Sequence, residues 1–298
     1  PKAAVGQLVT RLSGIDNVLY AAPNEMSGDG RTALLAVIPK TGPNDVATAD
    51  LVHTIREQKA AITAGTGATI AVTGVTALAI DVSTRLDEAL LPYLAVVVGL
   101  AFLLLLLVFR SVLVPLKATL GFLLSLAATF GAVVAVFQWG WLGDVFGVHE
   151  TGPIMSMLPV LLIGILFGLA MDYQVFLVTR MREDFVHGAA ARDAVVTGFR
   201  HGARVVTAAA IIMISVFGGF VFSGETLIQS IGFALAFGVL VDAFVVRMTI
   251  VPALMSLLGR AAWWLPGWLS RILPNVDVEG EKLHRAAEPV REPVAAGV

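Results

Sequence analysis

Five stretches of this chain, roughly residues 90–109, 112–137, 154–178, 203–222 and 227–258, are apolar. Each has about the 20 residues that a helix needs to cross the hydrocarbon of a bilayer. A chain patterned in this way cannot bury its apolar surface in a water-soluble core of ordinary proportions. Composition agrees, because 57% of the 298 residues are hydrophobic and only 14% are charged, against about 25% charged in globular proteins. The expected fold class is an α-helical polytopic membrane protein with five transmembrane helices, the last long enough to tilt or emerge. A net charge of −2 argues against nucleic acid as a partner, and the absence of cysteine excludes disulfides and thiol chemistry.

Residues 1–87 read differently, as a small α+β domain. Ala3 to Leu12 has helical spacing. Asn17 to Ala22 and the β-rich Arg31 to Ile38 flank Ser27-Gly28-Asp29-Gly30, a hairpin turn signal. Asn44 or Asp45 can cap a helix running to about Ala61, and Gly65-Thr66-Gly67 turns into an expected strand, Thr69 to Thr73. The order α-β-β-α-β is that of a split βαβ unit lacking its first strand. A last helix, Ala77 to Glu88, leads towards the membrane. The chain begins at Pro1 without a signal sequence, which suggests a fragment.

Basic residues set the orientation. Arg110 and Lys117 bracket one connection, and Arg180, Arg182, Arg192, Arg200 and Arg204 crowd another. Loops 138–153 and 223–226 contain no Lys or Arg. The positive-inside rule then makes the basic connections cytoplasmic, residues 1–87 extracytoplasmic and the C-terminus cytoplasmic. Trp139 and Trp141 on one side, and Trp263, Trp264 and Trp268 on the other, suit aromatic belts. Residues 260–298 are expected to form a cytoplasmic interfacial segment and, after about Asn275, a disordered tail. Asp193 to His201 reads either as a short amphipathic interfacial helix or as an ordinary basic connection.

The third span carries a carboxylate. Gly164, Gly168 and Asp172 recur every four residues, so two small residues and an acid share a helix face. An acid inside a span costs a few kcal/mol on insertion scales, which makes a functional role the default reading. Tyr173 follows at once and Phe176 lies one turn on, where it could close a path; alone, each reads equally as a belt or packing residue. Ala234, Gly238 and Asp242 repeat the small, small, acid spacing in the last span. With Arg247 five residues on, Asp242 is open to a purely structural reading, a snorkelling ion pair or a bond between helices. The five histidines, including His149 beside Glu150, His187 and His201, show no metal-ligand spacing, and no P-loop is present, so neither a metal nor ATP is expected.

The segments Phe167-Gly168-Leu169-Ala170-Met171-Asp172-Tyr173-Gln174-Val175-Phe176-Leu177 and Gly238-Val239-Leu240-Val241-Asp242-Ala243-Phe244-Val245-Val246-Arg247, with Val251-Pro252-Ala253-Leu254-Met255 and Trp264-Leu265-Pro266, resemble a known family. They are similar to the C-terminal half of the mycobacterial-membrane-protein-large (MMPL) transporters of the resistance-nodulation-division superfamily. The resemblance implies a truncated extracytoplasmic porter domain followed by the eighth to twelfth helices of a bacterial plasma-membrane exporter. It implies that Asp172 and Tyr173 are half of a proton relay, with Phe176 lining the same channel and the gradient replacing any cofactor. Its partners would be the missing N-terminal half, membrane lipids and a lipid or amphiphile cargo, with homo-oligomers left open. Without the missing helices, the Gly164–Gly168–Asp172 seam would face lipid. Two rivals are a non-transporting member of the superfamily, sterol-sensing or accessory to protein translocation, and an intramembrane aspartyl protease. The protease fits poorly, because Asp172 precedes its tyrosine and the Pro252-Ala253-Leu254 tripeptide shares a helix with Asp242.

Overall fold

The computed structural model describes residues 2–43, 45–148 and 151–273. Asn44, His149, Glu150 and the tail expected after Asn275 lie outside the described residues. The chain divides into two compact units, Pro1–Ala89 and Leu90–Val298.

In the first unit, α1 (Lys2–Ser13) precedes the antiparallel hairpin of β1 (Val18–Met26) and β2 (Ala33–Pro39), in which Ala21 pairs with Val37 and Met26 with Ala33. The turn falls on Ser27 to Gly30, with Gly30 at positive φ, which glycine adopts without steric cost. Two short helices follow, α2 (Val46–Glu57) and α3 (Lys59–Thr63). Asp45 stands at the head of α2, yet its carboxylate turns back to accept the Gly42 N–H at 2.6 Å instead of capping the helix. Leu8, Leu12, Val18, Leu51, Ile55 and Ile62 form the core.

The strand expected at Thr69 to Thr73 does not form. Ala68, Ile70 and Val72 do reach the core at alternate positions. Among the described residues the segment nevertheless joins no ladder, and the sheet consists of β1 and β2. Alternation reports which side chains are covered, but a strand also needs a neighbouring backbone edge.

Among the described residues, five helices are long and apolar enough to cross a membrane. They are α4 (Val75–Phe109), α5 (Leu113–Val133) continued by a π-helical turn Val134–Gln138, α7 (Met157–Val186), α8 (Ala191–Phe220), and a composite last helix. That last helix runs through α9 (Thr226–Leu240), a π-helical stretch Val241–Ile250, α10 (Val251–Leu258) and a 3₁₀ turn Gly259–Trp263. Short α6 (Gly143–Phe146) and α11 (Gly267–Ile272) complete the unit.

Two expected breaks are absent. The helix 77–88 and the span 90–109 are one helix of 35 residues, because no residue between Glu88 and Leu91 breaks it and Pro92 is absorbed inside. At 1.5 Å per residue it is about 52 Å long, well beyond ~30 Å of hydrocarbon, so the turns bearing Asp81, Arg85 and Glu88 need not enter it. Asp193 to His201 is likewise neither a separate interfacial helix nor a connection but the start of the 30-residue α8. Gly198 and Gly202 explain why. A Cβ on Gly198 would lie 2.7 Å from the Met181 amide nitrogen, and one on Gly202 2.8 Å from Leu177 Cδ1, so this end of α8 is pressed against α7. The Trp263 ring stacks on Phe185 at 5.5 Å.

Candidate functional site

The middle of the membrane unit holds a buried polar network drawn from three helices. Arg247 Nε donates to Asp242 Oδ2 at 2.5 Å, its Nη2 to Oδ1 at 3.4 Å, and its Nη1 to Gln174 Oε1 on α7 at 3.0 Å. Ser125 Oγ on α5 donates to Asp242 Oδ1 at 3.2 Å. Arg247 is 2% exposed and Asp242 5%. An unpaired charge so enclosed would be very costly, and the mutual contacts are what make the burial tolerable.

The backbone explains how residues five apart can pair at all. On an α-helix they would point roughly 140° apart. Asp242 and Arg247 lie on the π-helical stretch Val241–Ile250, where the hydrogen-bond repeat is itself five residues. The pair that could have snorkelled to an interface is instead internal, and the extra residue per turn aims both side chains at α5 and α7.

The two seams part company. Ala234 is fully buried, and a Cβ on Gly238 would meet Leu166 Cδ2 at 2.7 Å and Thr129 Oγ1 at 3.0 Å. The Ala234–Gly238–Asp242 face is therefore consumed by α5 and α7. Gly164, Gly168 and Asp172 are exposed. A Cβ on Gly164 would approach the Tyr93 hydroxyl at 2.8 Å, but nothing lies within 4 Å of one on Gly168. Among the described residues no hydrogen bond or ion pair holds the Asp172 carboxylate. The seams do not face one another, and Asp172 points away from the network.

Its neighbours are anchored. Tyr173, half-buried, donates its hydroxyl to Met213 Sδ on α8 at 3.3 Å, and Gln174 is tied to Arg247. Phe176 is 38% exposed, on the same open side as Asp172. Asp172 is thus an exposed acid on a rigidly held turn.

Sequence reasoning did not find Ser125, Gln174 or Lys117. Lys117 was assigned to a basic connection, yet it sits inside α5 and is 7% exposed. A signal existed. Lys117, Gly121 and Ser125 recur every four residues, and a Cβ on Gly121 would lie 2.7 Å from Val246 Cγ1, so this α5 face packs on the π-helical stretch. Among the described residues no group of three His, Cys, Asp or Glu side chains could hold a metal. In the first unit, a groove of about 740 Å³ opens between α1 and α2, lined by Arg11, Asp16, Asn17, Asp50 and Gln58. Arg11 is already committed there, its Nη1 donating to the carbonyls of Ile62 and Ala64 at 2.8 Å.

The model of the MMPL family matches residues 2–282. Membrane protein YdfJ of Bacillus subtilis is 50% identical over 96% of this chain. The mycolic acid-containing lipids exporter MmpL11 of Mycolicibacterium smegmatis is 42% identical over 93%, and the trehalose monomycolate exporter MmpL3 of Mycobacterium tuberculosis 35% over 80%. The chain spans well under half of these relatives, covering 39%, 28% and 26% of their respective lengths. With the matched model and a 50% identical relative both covering almost every residue, the chain belongs to the MMPL family.

Proposed function

We propose that this chain is the C-terminal half of a proton-driven exporter of lipids or other amphiphiles in a bacterial plasma membrane. Residues 1–87 stand outside, and the Arg-rich connections and C-terminus inside, in keeping with the distribution of Lys and Arg. Asp172 is the group that takes up and releases the proton, and Tyr173 and Phe176 line its path. The N-terminal half of the same protein supplies the helices that cover Gly164, Gly168 and Asp172.

The observation that carries this reading is the outward placement of Asp172 on a face of small residues. An acid in a span usually faces protein or a water-filled path, and two glycines on its face admit another helix closely. Asp172 would be charged when open to one side of the membrane and neutral when covered, so its protonation would bias the packing of that face between two arrangements. One elementary charge crossing 100 mV supplies about 2.3 kcal/mol, enough to shift such an equilibrium. The lipid cargo is supported by relatives named for export of mycolic acid-containing lipids and trehalose monomycolate.

The test is export by the full-length protein at matched membrane abundance, comparing wild type with Asp172→Asn and Tyr173→Phe. Loss of export in Asp172→Asn, with insertion intact, is the expected result. Unimpaired export in that variant would assign the acid a structural role and remove the proton-coupled reading.

A further inference from the structure

The turn between the first two spans fixes the level of the chain that follows the last one. Arg110, Ser111 and Val112 are all that separates α4 from α5, and so short a link between two crossing helices lies at the membrane boundary. Each of the three binds the segment after α10. Ser111 Oγ, fully buried, donates to the Ala262 carbonyl at 2.7 Å, and the Val112 N–H donates to that of Trp264 at 3.3 Å. Arg110 stands at φ 45°, a left-handed backbone uncommon for a residue with a Cβ, and its Nη2 and Nη1 donate to the carbonyls of Ser270 and Leu273 at 3.0 and 3.2 Å. Both ends of residues 262–273 are tied to one short turn. The segment therefore runs along the boundary and does not project from it.

Its two faces differ. Inward, Ala262 is buried and Trp263 stacks on Phe185. Outward, Trp264, Trp268 and Ile272 are 57%, 65% and 71% exposed. Trp268 and Ile272 lie four apart on α11 and share a face. Arg260 and Arg271, near the two ends of the segment, are exposed, and among the described residues neither is held by a hydrogen bond or ion pair. Two indoles and an isoleucine turned to water form a costly patch. At headgroup level the same side chains are favoured, because an indole lies among acyl carbons while its N–H stays wet. Guanidinium groups in that plane meet lipid phosphates, and an anionic headgroup offers its phosphate without a competing cation. The level set by the α4–α5 turn and the two cations favour lipid over a protein partner.

We propose that residues 260–273 form an in-plane surface for anionic phospholipid, in which Trp264, Trp268 and Ile272 enter the boundary between headgroups and acyl chains, Arg260 and Arg271 take lipid phosphates, and Arg110 fastens the segment to the α4–α5 turn. The surface rests on the level and the faces of this segment and holds whatever the cargo or direction of transport.

The test uses the full-length protein with no other cysteine, this chain having none, nitroxide-labelled at Trp268→Cys or Ile272→Cys. It is placed in vesicles of phosphatidylcholine alone, or of equal parts phosphatidylcholine and phosphatidylglycerol. Collisions of the label with oxygen, which concentrates in the bilayer, are compared with collisions with a neutral nickel chelate, which stays in water. Oxygen is expected to dominate at both sites, and its ratio to nickel to rise by about twofold or more with phosphatidylglycerol. Arg260→Gln with Arg271→Gln is expected to abolish that rise, and Arg110→Gln to make the labels more mobile. Nickel-dominated labels, labels that neither reagent reaches because protein covers them, or equal ratios in the two vesicles would overturn the surface, and unchanged mobility in Arg110→Gln would overturn the fastening. Should Arg110→Gln fail to fold, the collision ratios of the other variants decide.

Discussion

Removing Arg247 while leaving Asp242 tests whether the buried pair is held by its neighbours or merely accompanies them. Arg247→Met deletes two bonds to Asp242 and one to Gln174, leaving the carboxylate with only Ser125 Oγ at 3.2 Å. Two magnitudes compete. Breaking a buried ion pair in a soluble protein costs about 3–5 kcal/mol because a bare charge remains. Interhelical hydrogen bonds in a bilayer average only ~0.6 kcal/mol, because separated helices find substitutes. The pair lies on one helix, so parting the helices breaks only Ser125–Asp242 and Arg247–Gln174, and the intact network contributes two bonds of the smaller kind, about 1 kcal/mol. The single substitution is a different matter, since Asp242 is then enclosed with no cation bonded to it, and a cost of about 3 kcal/mol is expected. Asp242→Asn with Arg247→Met removes both charges and should cost only about 1 kcal/mol, roughly 2 kcal/mol less than Arg247→Met alone. Unfolding of the full-length protein in mixed micelles measures both variants against wild type. Equal losses in the single and double variants, within ~0.5 kcal/mol, would refute the claim that the bare carboxylate dominates.

Two further outcomes concern other parts of the chain. Gly198→Ala places a methyl group 2.7 Å from the Met181 backbone nitrogen, which cannot rotate away, so α7 and α8 must separate; a loss of about 1–3 kcal/mol by the same unfolding measurement is expected, and a neutral result would mean that the helices slide freely. In the hairpin, the Ser27 hydroxyl and the Arg31 N–H hold Asp29 below the usual carboxylate range. A depressed pKa contributes stability above the unfolded value, near 3.9, and loses it as pH falls through the folded value. Hydrogen exchange at Arg31 and Thr32, corrected for intrinsic rates, should therefore accelerate below about pH 4 in wild type but not in Asp29→Ala.

The spans were legible because their signal is length and apolarity, which the bilayer imposes directly. The hairpin was legible because Ser27-Gly28-Asp29-Gly30 is turn chemistry, and Gly30 does take the positive φ that glycine permits. What escaped were features decided by contact between elements. Thr69 to Thr73 has the alternation of a strand and lacks a paired edge. The run 191–220 contains a basic, amphipathic start that local pattern separates from the span, yet Gly198 and Gly202 lock both onto α7. Lys117 looked like a loop cation because charge rules count residues and do not see which helix face they occupy. The π-helical stretch was the hardest to read, because the spacing of Ala234, Gly238 and Asp242 is α-helical and the register changes only at Val241. Five-residue separation of Asp242 and Arg247 was its trace in the sequence, but on an α-helix that spacing argues against pairing.

The division between the two acids follows from what each helix face already touches. Asp242 accepts from Arg247 and Ser125, within a core that includes Phe122, Leu166 and Ala243. Any change in its charge would disturb three helices together. Asp172 can change charge without breaking a bond among the described residues, while Tyr173 and Gln174 hold the adjoining turn to α8 and to Arg247. A group that cycles between protonation states needs a fixed frame and an uncommitted side chain, and only the outward acid combines the two. On the proposed reading the inner pair keeps α7 in place, and a proton taken up at Asp172 would act on whatever packs against Gly168, where a side chain would meet nothing within 4 Å.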